Sequence, residues 1–119
     1  MSQTAAYREQ TATTQSDSRL VVLLYEGALT YLQQGLSRLG RQDYAEADES
    51  IFRAIDIIDE LSSSLEMDID AQVAGNLRSL YIFMRNHLHD ARIQCDCVRI
   101  KDVIGLLEDL LDSWRGLPA

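Results

Sequence analysis

The sequence predicts an all-α protein, an antiparallel up-down-up-down four-helix bundle with a flexible N-terminal arm. Apolar residues recur at i, i+3, i+4 and i+7 in four successive segments, and no segment alternates with the period of two that a strand shows. The only proline is Pro118, so no proline interrupts residues 1–117. The 119 residues make one domain. The short connections between segments favour antiparallel neighbours.

The first helix is predicted over residues 17–39 of a bundle that spans 16–117. Ser16 or Asp17 is a suitable N-cap for this helix, and Gly40 is expected to end it. Residues 1–15 are rich in Thr, Gln, Ser and Ala and carry no apolar stripe, so they are predicted to form the arm. The stripe of the first helix consists of Leu20, Leu24, Ala28, Tyr31, Leu32 and Leu39.

The second and third helices are predicted over residues 44–65 and 71–94. Asp43, with Glu46 three residues later, has the arrangement of an acidic capping box, and Asp70 is a suitable cap for the third helix. Their apolar stripes are Ala47, Ile51, Ile55, Ile58, Leu61 and Leu65 in the second helix and Val73, Leu77, Leu80, Met84, Leu88 and Ala91 in the third.

The fourth helix is predicted over residues 97–115. Asp96 is its expected cap, and Gly116 and Pro118 are expected to stop it. Its stripe consists of Ile100, Val103, Leu107, Leu110 and Trp114.

The charge of the chain excludes several classes of partner. Nineteen acidic residues and eleven basic ones give a net charge of -8 and a pI near 4.5, which disfavours nucleic acid and anionic membranes. The longest apolar run, Leu20–Tyr25, is far shorter than the roughly 20 residues that span a bilayer. The first nineteen residues have no apolar block and no basic start, so they are not expected to act as a secretory signal. We therefore expect a cytoplasmic protein in which Cys95 and Cys97 are reduced.

Neither a metal site nor an active site is predicted. A carboxylate-bridged di-iron site requires Glu three residues before His, and neither His87 nor His89 meets this requirement. Ligands two residues apart on a helix point about 200° apart, so these histidines and the two cysteines suit shared zinc coordination poorly. The sequence predicts no cofactor and no enzyme. A phosphotransfer module, which needs an exposed histidine, remains an alternative.

The helices carry more apolar residues than a bundle core needs. Apolar residues occupy every direction around the first helix over Leu20–Tyr25, and Phe52, Ile57, Ile82 and Phe83 fall outside their stripes. Contiguous exposed apolar surface tends to mark partner sites, so the surplus predicts a groove that receives an apolar segment. The favoured contact residues are Val22, Leu23, Tyr25, Ile57, Tyr81 and Phe83, with Tyr7 as the anchor that places the arm in the groove of the free protein.

Two further features concern the first and second helices. Gly27 is expected to permit close helix approach, because glycine inside a helix otherwise costs about 1 kcal/mol. From Asp43 to Glu60 the second helix holds seven acidic residues and only one basic residue, Arg53. Such a run is typical of a solvated outer face, and an acidic docking surface is the alternative.

Four stretches, in order and in one register, resemble the FliS family of flagellar secretion chaperones. Leu23–Leu29 is similar to the family's LY-D/N-G-x-L signature, and Ala54–Leu61 matches its second helix. Asn76–Met84 is similar to N-L-x-x-L-Y-x-Y-M, and the closing segment runs from Leu106 to Trp114. The match covers about residues 7–114.

The resemblance implies a monomeric or weakly associating bundle without catalytic residues. It implies that this bundle binds the disordered C-terminal segment of flagellin, prevents premature polymerisation and delivers flagellin to the flagellar export gate. The chain departs from the family at caps and loops. Ser16–Asp17 replaces the usual Ser-Pro, and Met67–Asp70 replaces Gly-Gly-Glu, which leaves the identity of the flagellin open. A general helical adaptor is the remaining alternative.

Overall fold

The structure, a computed structural model, describes the backbone of residues 3–66 and 70–116 and the side chains of residues 19–65 and 70–116. Over these backbone ranges the chain contains four α-helices and no strand. The helices are α1 (Gln3–Gly40), α2 (Tyr44–Ser63), α3 (Ala71–Gln94) and α4 (Cys97–Arg115), and a 3-10 turn at Ser64–Glu66 follows α2. The predicted all-α four-helix bundle is confirmed.

The four helices are arranged in a ring. α1 packs against α2 and α4, and α3 packs against the same two helices, so α1 and α3 face each other across the core. In the pairs α1–α2, α2–α3 and α3–α4, a residue later in one helix contacts a residue earlier in the next helix. This order is the one that antiparallel helices require. These contacts are Gly27 with Ile57 and Gly35 with Ile51, Asp59 with Arg85 and Asp48 with Arg92, and His87 with Asp102 and Asp90 with Arg99.

The predicted stripes supply most of the core, and buried apolar residues outside them complete it: Tyr25, Ala54, Ala74, Tyr81, Ile104 and Leu111. Two stripe residues do not contribute. Leu20 and Val73 are exposed, because they lie at the end of the bundle where α2 finishes and α3 begins. Burying one large apolar side chain stabilises a fold by about 1.5–3 kcal/mol, so the stripes supply the main driving force. The largest buried apolar side chains of this core include Leu32, Ile51, Ile58, Leu61, Met84, Leu88, Ile100 and Leu107.

Two glycines of α1 lie where α2 approaches closely. An added Cβ would lie 3.3 Å from Ile57 Cδ1 at Gly27 and 3.2 Å from Ile51 Cγ1 at Gly35. Contacts this short force the neighbouring side chain to move. The expectation that Gly27 permits close helix approach is confirmed, and Gly35 does the same two turns later.

The start of α1 differs from the prediction. The helix begins at Gln3 and not near residue 17, so Ser16 and Asp17 lie inside it and not at its N-cap position. Residues 1–26 contain neither proline nor glycine, and Ala, Gln, Arg and Glu among them favour helix. The missing apolar stripe indicates that a segment does not pack, which is a different property from helix formation. The flexible arm over residues 1–15 stays a prediction, and the side chain of Tyr7 lies outside the described residues.

Aspartates precede the other three helices, as predicted. Asp70 accepts a hydrogen bond from the Gln72 amide at 2.8 Å. Asp96 accepts one from the Val98 amide at 3.0 Å and one from the Arg99 amide at 3.4 Å. Asp43 occupies the N-cap position of α2, but its side chain makes no capping bond. The Arg41 Nε donates to its carboxylate at 3.3 Å instead, so the predicted capping box does not form.

The turn between α1 and α2 is made by Gln42 and not by Gly40. Gln42 adopts a left-handed φ of 64°. Its amide donates to the Leu39 carbonyl at 3.0 Å, and the Asp43 amide donates to the Arg38 carbonyl at 2.9 Å. These two bonds define a Schellman motif, in which the residue beyond the helix takes the left-handed conformation. Gly40 therefore lies within the last helical turn, and the predicted stop is displaced by two residues.

The Schellman motif predicts that alanine at position 40 and glycine at position 42 each stabilise the fold. Gly40→Ala should raise the free energy of unfolding by about 0.5–1 kcal/mol, because the position is helical. The added Cβ meets nothing within 4 Å. Gln42→Gly should raise it by up to about 1 kcal/mol by relieving a left-handed non-glycine residue. Urea unfolding of both variants checks this, and a destabilised Gly40→Ala protein would contradict the assignment.

Candidate partner-binding surface

Tyr25 and Tyr81 lie in the core, which corrects their prediction as exposed contact residues. They are 0% and 2% exposed. Both fall beside the predicted stripes, so the sequence pattern alone favours a surface position for them. Their hydroxyls point to polar partners inside the bundle, so the two rings can be buried at little cost.

The two tyrosines and Trp114 form a buried polar cluster. The Tyr25 and Tyr81 hydroxyls share a hydrogen bond, and the Trp114 Nε1–H donates to Tyr25 Oη at 3.3 Å. The tyrosine rings are tilted by 52° with their centroids 6.4 Å apart. Burial raises the pKa of Tyr25, and burial together with the hydrogen bond to Tyr25 raises the pKa of Tyr81. Both hydroxyls therefore stay neutral at physiological pH.

Leu20, Leu23 and Ile57 form one exposed apolar area, the α1–α2 patch. Gly27 faces Ile57, and Leu23 and Leu20 lie four and seven residues before it on the same side of α1. Leu23 is 57% exposed, and Ile57 is half-buried. The predicted surface role of Leu23 and Ile57 is thus compatible with their positions. Val22 points to another side of α1 and packs against the core.

Leu80, Phe83, Leu106 and Leu110 form a second area, the α3–α4 patch. The pair His87–Asp102 places these rows of α3 and α4 side by side. Phe83 and Leu80 precede His87 by four and seven residues, and Leu106 and Leu110 follow Asp102 by four and eight, so they continue the seam. Phe83 is 48% exposed, and the three leucines are half-buried.

The two patches do not form the single groove that the sequence predicted. The α1–α2 seam and the α3–α4 seam lie on opposite sides of a ring in which α1 and α3 are diagonal. Both patches occupy the same half of the bundle, where α2 and α4 end and α3 begins. A single short helix cannot cover both.

Sequence reasoning did not single out the leucines of the α3–α4 patch. Leu80 and Leu110 belong to predicted stripes and do pack against the core while staying partly exposed, and Leu106, which belongs to no stripe, does the same. Their positions at the edges of the buried stripes, next to Phe83, distinguish them. Edge positions of two neighbouring helices meet at a seam and stay accessible from one side. These edge positions can be recognised as one surface only once the pairing of α3 with α4 is known.

The acidic run of α2 is divided between solvent and α3. Asp59 pairs with Arg85 at 3.1 Å, and Asp48 accepts two hydrogen bonds from the Arg92 guanidinium at 2.7 and 3.2 Å. The bond from Arg92 lowers the pKa of Asp48. The same guanidinium lies 5.0 Å from the centroid of Phe52, which helps to explain why an off-stripe phenylalanine is tolerated there. Part of the predicted outer face thus joins α2 to α3.

Both histidines are engaged by neighbouring side chains. His87 Nε2 lies 3.1 Å from Asp102 Oδ2, and its ring stacks on Phe83. His89 Nδ1 lies 3.3 Å from Arg92 Nη1. The side chain of His87 is only 16% exposed, which argues against the phosphotransfer alternative, because phosphorylation requires an accessible ring.

Two absences apply to the described parts of the chain. Within residues 19–65 and 70–116, no group of three His, Cys, Asp or Glu side chains is placed to hold a metal ion. No helix within residues 3–66 and 70–116 is long and apolar enough to cross a membrane.

The chain is similar to known flagellar secretion chaperones. The family model described as flagellar protein FliS matches residues 1–119. The chain is 31% identical over 103 residues to the flagellar secretion chaperone FliS of Vibrio cholerae, covering 87% of this chain and 76% of that protein. It is 30% identical over 103 residues to the protein of the same name from Salmonella typhimurium, covering 86% and 76%. With the chaperone of Bacillus subtilis, identity is 26% over 110 residues, covering 92% and 81%.

The buried polar cluster predicts unequal effects of two similar substitutions. Tyr25→Phe leaves both the Tyr81 hydroxyl and the Trp114 N–H without a partner, so it should lower the free energy of unfolding by about 1–3 kcal/mol. Tyr81→Phe leaves the bond between Trp114 and Tyr25 intact and should cost about 0.5–1.5 kcal/mol. Denaturant unfolding measures both, with the exposed Tyr44→Phe as control. A Tyr81→Phe protein less stable than Tyr25→Phe would contradict the assigned bonding.

Proposed function

Because the chain belongs to the FliS family of flagellar secretion chaperones, we propose that it binds the C-terminal segment of flagellin in the cytoplasm. Binding keeps that segment from polymerising before export, and the complex is delivered to the flagellar export apparatus. The protein acts as a one-to-one binding partner and makes or breaks no covalent bond. It therefore needs no catalytic residue, metal or cofactor.

The observation that carries the proposal is the pair of apolar patches at one half of the bundle. Leu23 and Phe83 are large, apolar and about half exposed on opposite sides. The segment of flagellin that forms coiled-coil helices in the filament has an apolar face of its own. An amphipathic segment can bury that face in an apolar seam between two helices, as it does against its filament neighbours. The patches thus compete with polymerisation for the same side chains.

The position of the patches sets a minimum length for the bound segment. The bundle is 25 by 22 Å across. A chain that passes from one seam to the opposite seam follows half the perimeter, roughly 37 Å, which about eleven extended residues span. We propose that flagellin contacts the α1–α2 patch and the α3–α4 patch with two regions separated by at least this length.

Disorder in the free flagellin segment suits this mode of binding. A disordered chain adopts the path that the patches impose, which a folded partner could not do. Ordering the segment costs about 2–5 kcal/mol of the gross interaction energy, which keeps the affinity moderate for so large a contact. Moderate affinity is what a chaperone needs, since it must release its client at the export apparatus.

A calorimetric titration with the isolated flagellin C-terminal segment tests the function. We expect one-to-one binding with a negative heat-capacity change, because apolar surface is buried, and a gain of helix in the segment by circular dichroism. A segment truncated to one contact region should bind at least tenfold more weakly. If truncation leaves the affinity unchanged, the two-patch mode is wrong, and absence of binding by the intact segment would refute the function itself.

Charged substitutions in the patches test the site. Phe83→Asp and Leu23→Asp should each weaken flagellin binding by at least about tenfold, because each places a charge in a buried contact. Ile93→Asp is the matched control, since Ile93 is 82% exposed and lies near the opposite end of α3. Calorimetry measures the affinities, and thermal unfolding checks that the variants are folded. Equal weakening by Ile93→Asp would show that the effect is not specific to the patches.

A further inference from the structure

His87 occupies the boundary between the α3–α4 patch and the charged part of the same seam. Its ring stacks on Phe83 with centroids 4.9 Å apart and planes 24° apart. Its Nε2 lies 3.1 Å from the carboxylate of Asp102 on α4. The histidine therefore joins an apolar contact residue of α3 to a charged residue of α4.

A phenylalanine that is half exposed has few neighbours to hold it in one rotamer. Stacking on a second aromatic ring restricts it, because aromatic pairs prefer particular offset or tilted arrangements. A stacking partner that is mobile would hold Phe83 poorly. The ring of His87 is itself held, because Asp102 bonds to its far nitrogen from another helix.

The basic residue one turn before Asp102 on α4 is engaged elsewhere. Arg99 pairs with Asp96 at 3.1 Å and with Asp90 at 3.4 Å. Asp102 has only the bond to His87 among the ion pairs of the described side chains. Breaking the His87–Asp102 bond would therefore free the imidazole to turn.

We propose that His87 is a positioning residue for flagellin binding, which holds the ring of Phe83 in the orientation that receives the client. This inference rests on the proposed function, since it assigns a role at the same patch. Ordering a contact side chain before binding removes a cost of about 0.5–1.5 kcal/mol that the complex would otherwise bear. Loss of His87 should then weaken binding by about two- to tenfold.

A double-mutant cycle on the intact chain tests the inference. The affinity of the flagellin C-terminal segment is measured for the wild type, His87→Gln, Phe83→Ala and the double variant. Gln keeps an amide within reach of Asp102 but has no ring. We expect His87→Gln to weaken binding about two- to tenfold in the wild type and to have no effect when Phe83 is already Ala. The same factor in both backgrounds would overturn the inference, because His87 would then act independently of Phe83.

Two substitutions of Asp102 test whether its hydrogen bond to His87 supports binding. Asp102→Ala removes the tether and should weaken binding about two- to tenfold, whereas Asp102→Asn keeps a hydrogen-bonding group and should restore most of the affinity. If both variants weaken flagellin binding equally, Asp102 acts through its charge. That result would overturn the role of the hydrogen bond between Asp102 and His87. His89→Gln is the matched control, because it makes the same exchange next to Arg92, on the side of α3 that pairs with α2.

The outcomes separate this inference from the function on which it rests. A wild-type chain that fails to bind the flagellin segment overturns both. Normal binding that is insensitive to Phe83→Ala or to His87→Gln overturns only the positioning role. In the free protein, NMR should show ring-current shifts of the His87 imidazole protons that disappear in Phe83→Ala, and their absence in the wild type would contradict the stacking.

Discussion

The hydroxyl of Tyr25 is the point at which three helices of the bundle meet. It bonds to Tyr81 across the diagonal between α1 and α3, and it accepts the indole N–H of Trp114 from α4. Apolar packing alone tolerates sliding of one helix along another, whereas a buried hydroxyl is satisfied at one register only. The cluster thereby aligns the exposed edges of α1, α3 and α4, so the position of the α3–α4 patch follows from it. The α2 helix, which carries Ile57, is placed by its close contacts with Gly27 and Gly35.

Ion pairs join neighbouring helices at both ends of the bundle. Asp48–Arg92 and Asp90–Arg99 lie where α2 and α4 begin, and Asp59–Arg85 and Glu26–Arg115 lie toward the ends of these two helices. Exposed pairs of this kind add little stability, but they disfavour mispaired neighbours. In the half that holds the patches, the ion pairs Asp59–Arg85 and Glu26–Arg115 bridge the α2–α3 and α1–α4 seams. The two patches lie on the other two seams, α1–α2 and α3–α4.

The sequence was sufficient to predict the helices and most of the core, because the stripes and the Asp70 and Asp96 caps are local signals. It failed where the outcome depends on another helix. Over Leu20–Tyr25 every direction is apolar, so periodicity could not decide that Tyr25 is buried and Leu23 exposed; the partner hydroxyl on Tyr81 decides it. Gln42 takes the left-handed position although Gly40 stands two residues before it, since the length of the turn follows from where α2 must pack.

For a chaperone that must release its client, two separated patches have an advantage over one continuous groove. In the binding mode proposed above, when one region of flagellin is bound, the linker holds the second region near its patch at an effective concentration in the millimolar range, so two weak contacts give useful overall affinity. Each contact in this mode dissociates independently of the other. Capture of one released region by an export apparatus removes the tethering, and the second region is then held by a single patch only. In the proposed mode, retention of the client and its release therefore come from the same geometry, and neither requires a change in the fold of the bundle.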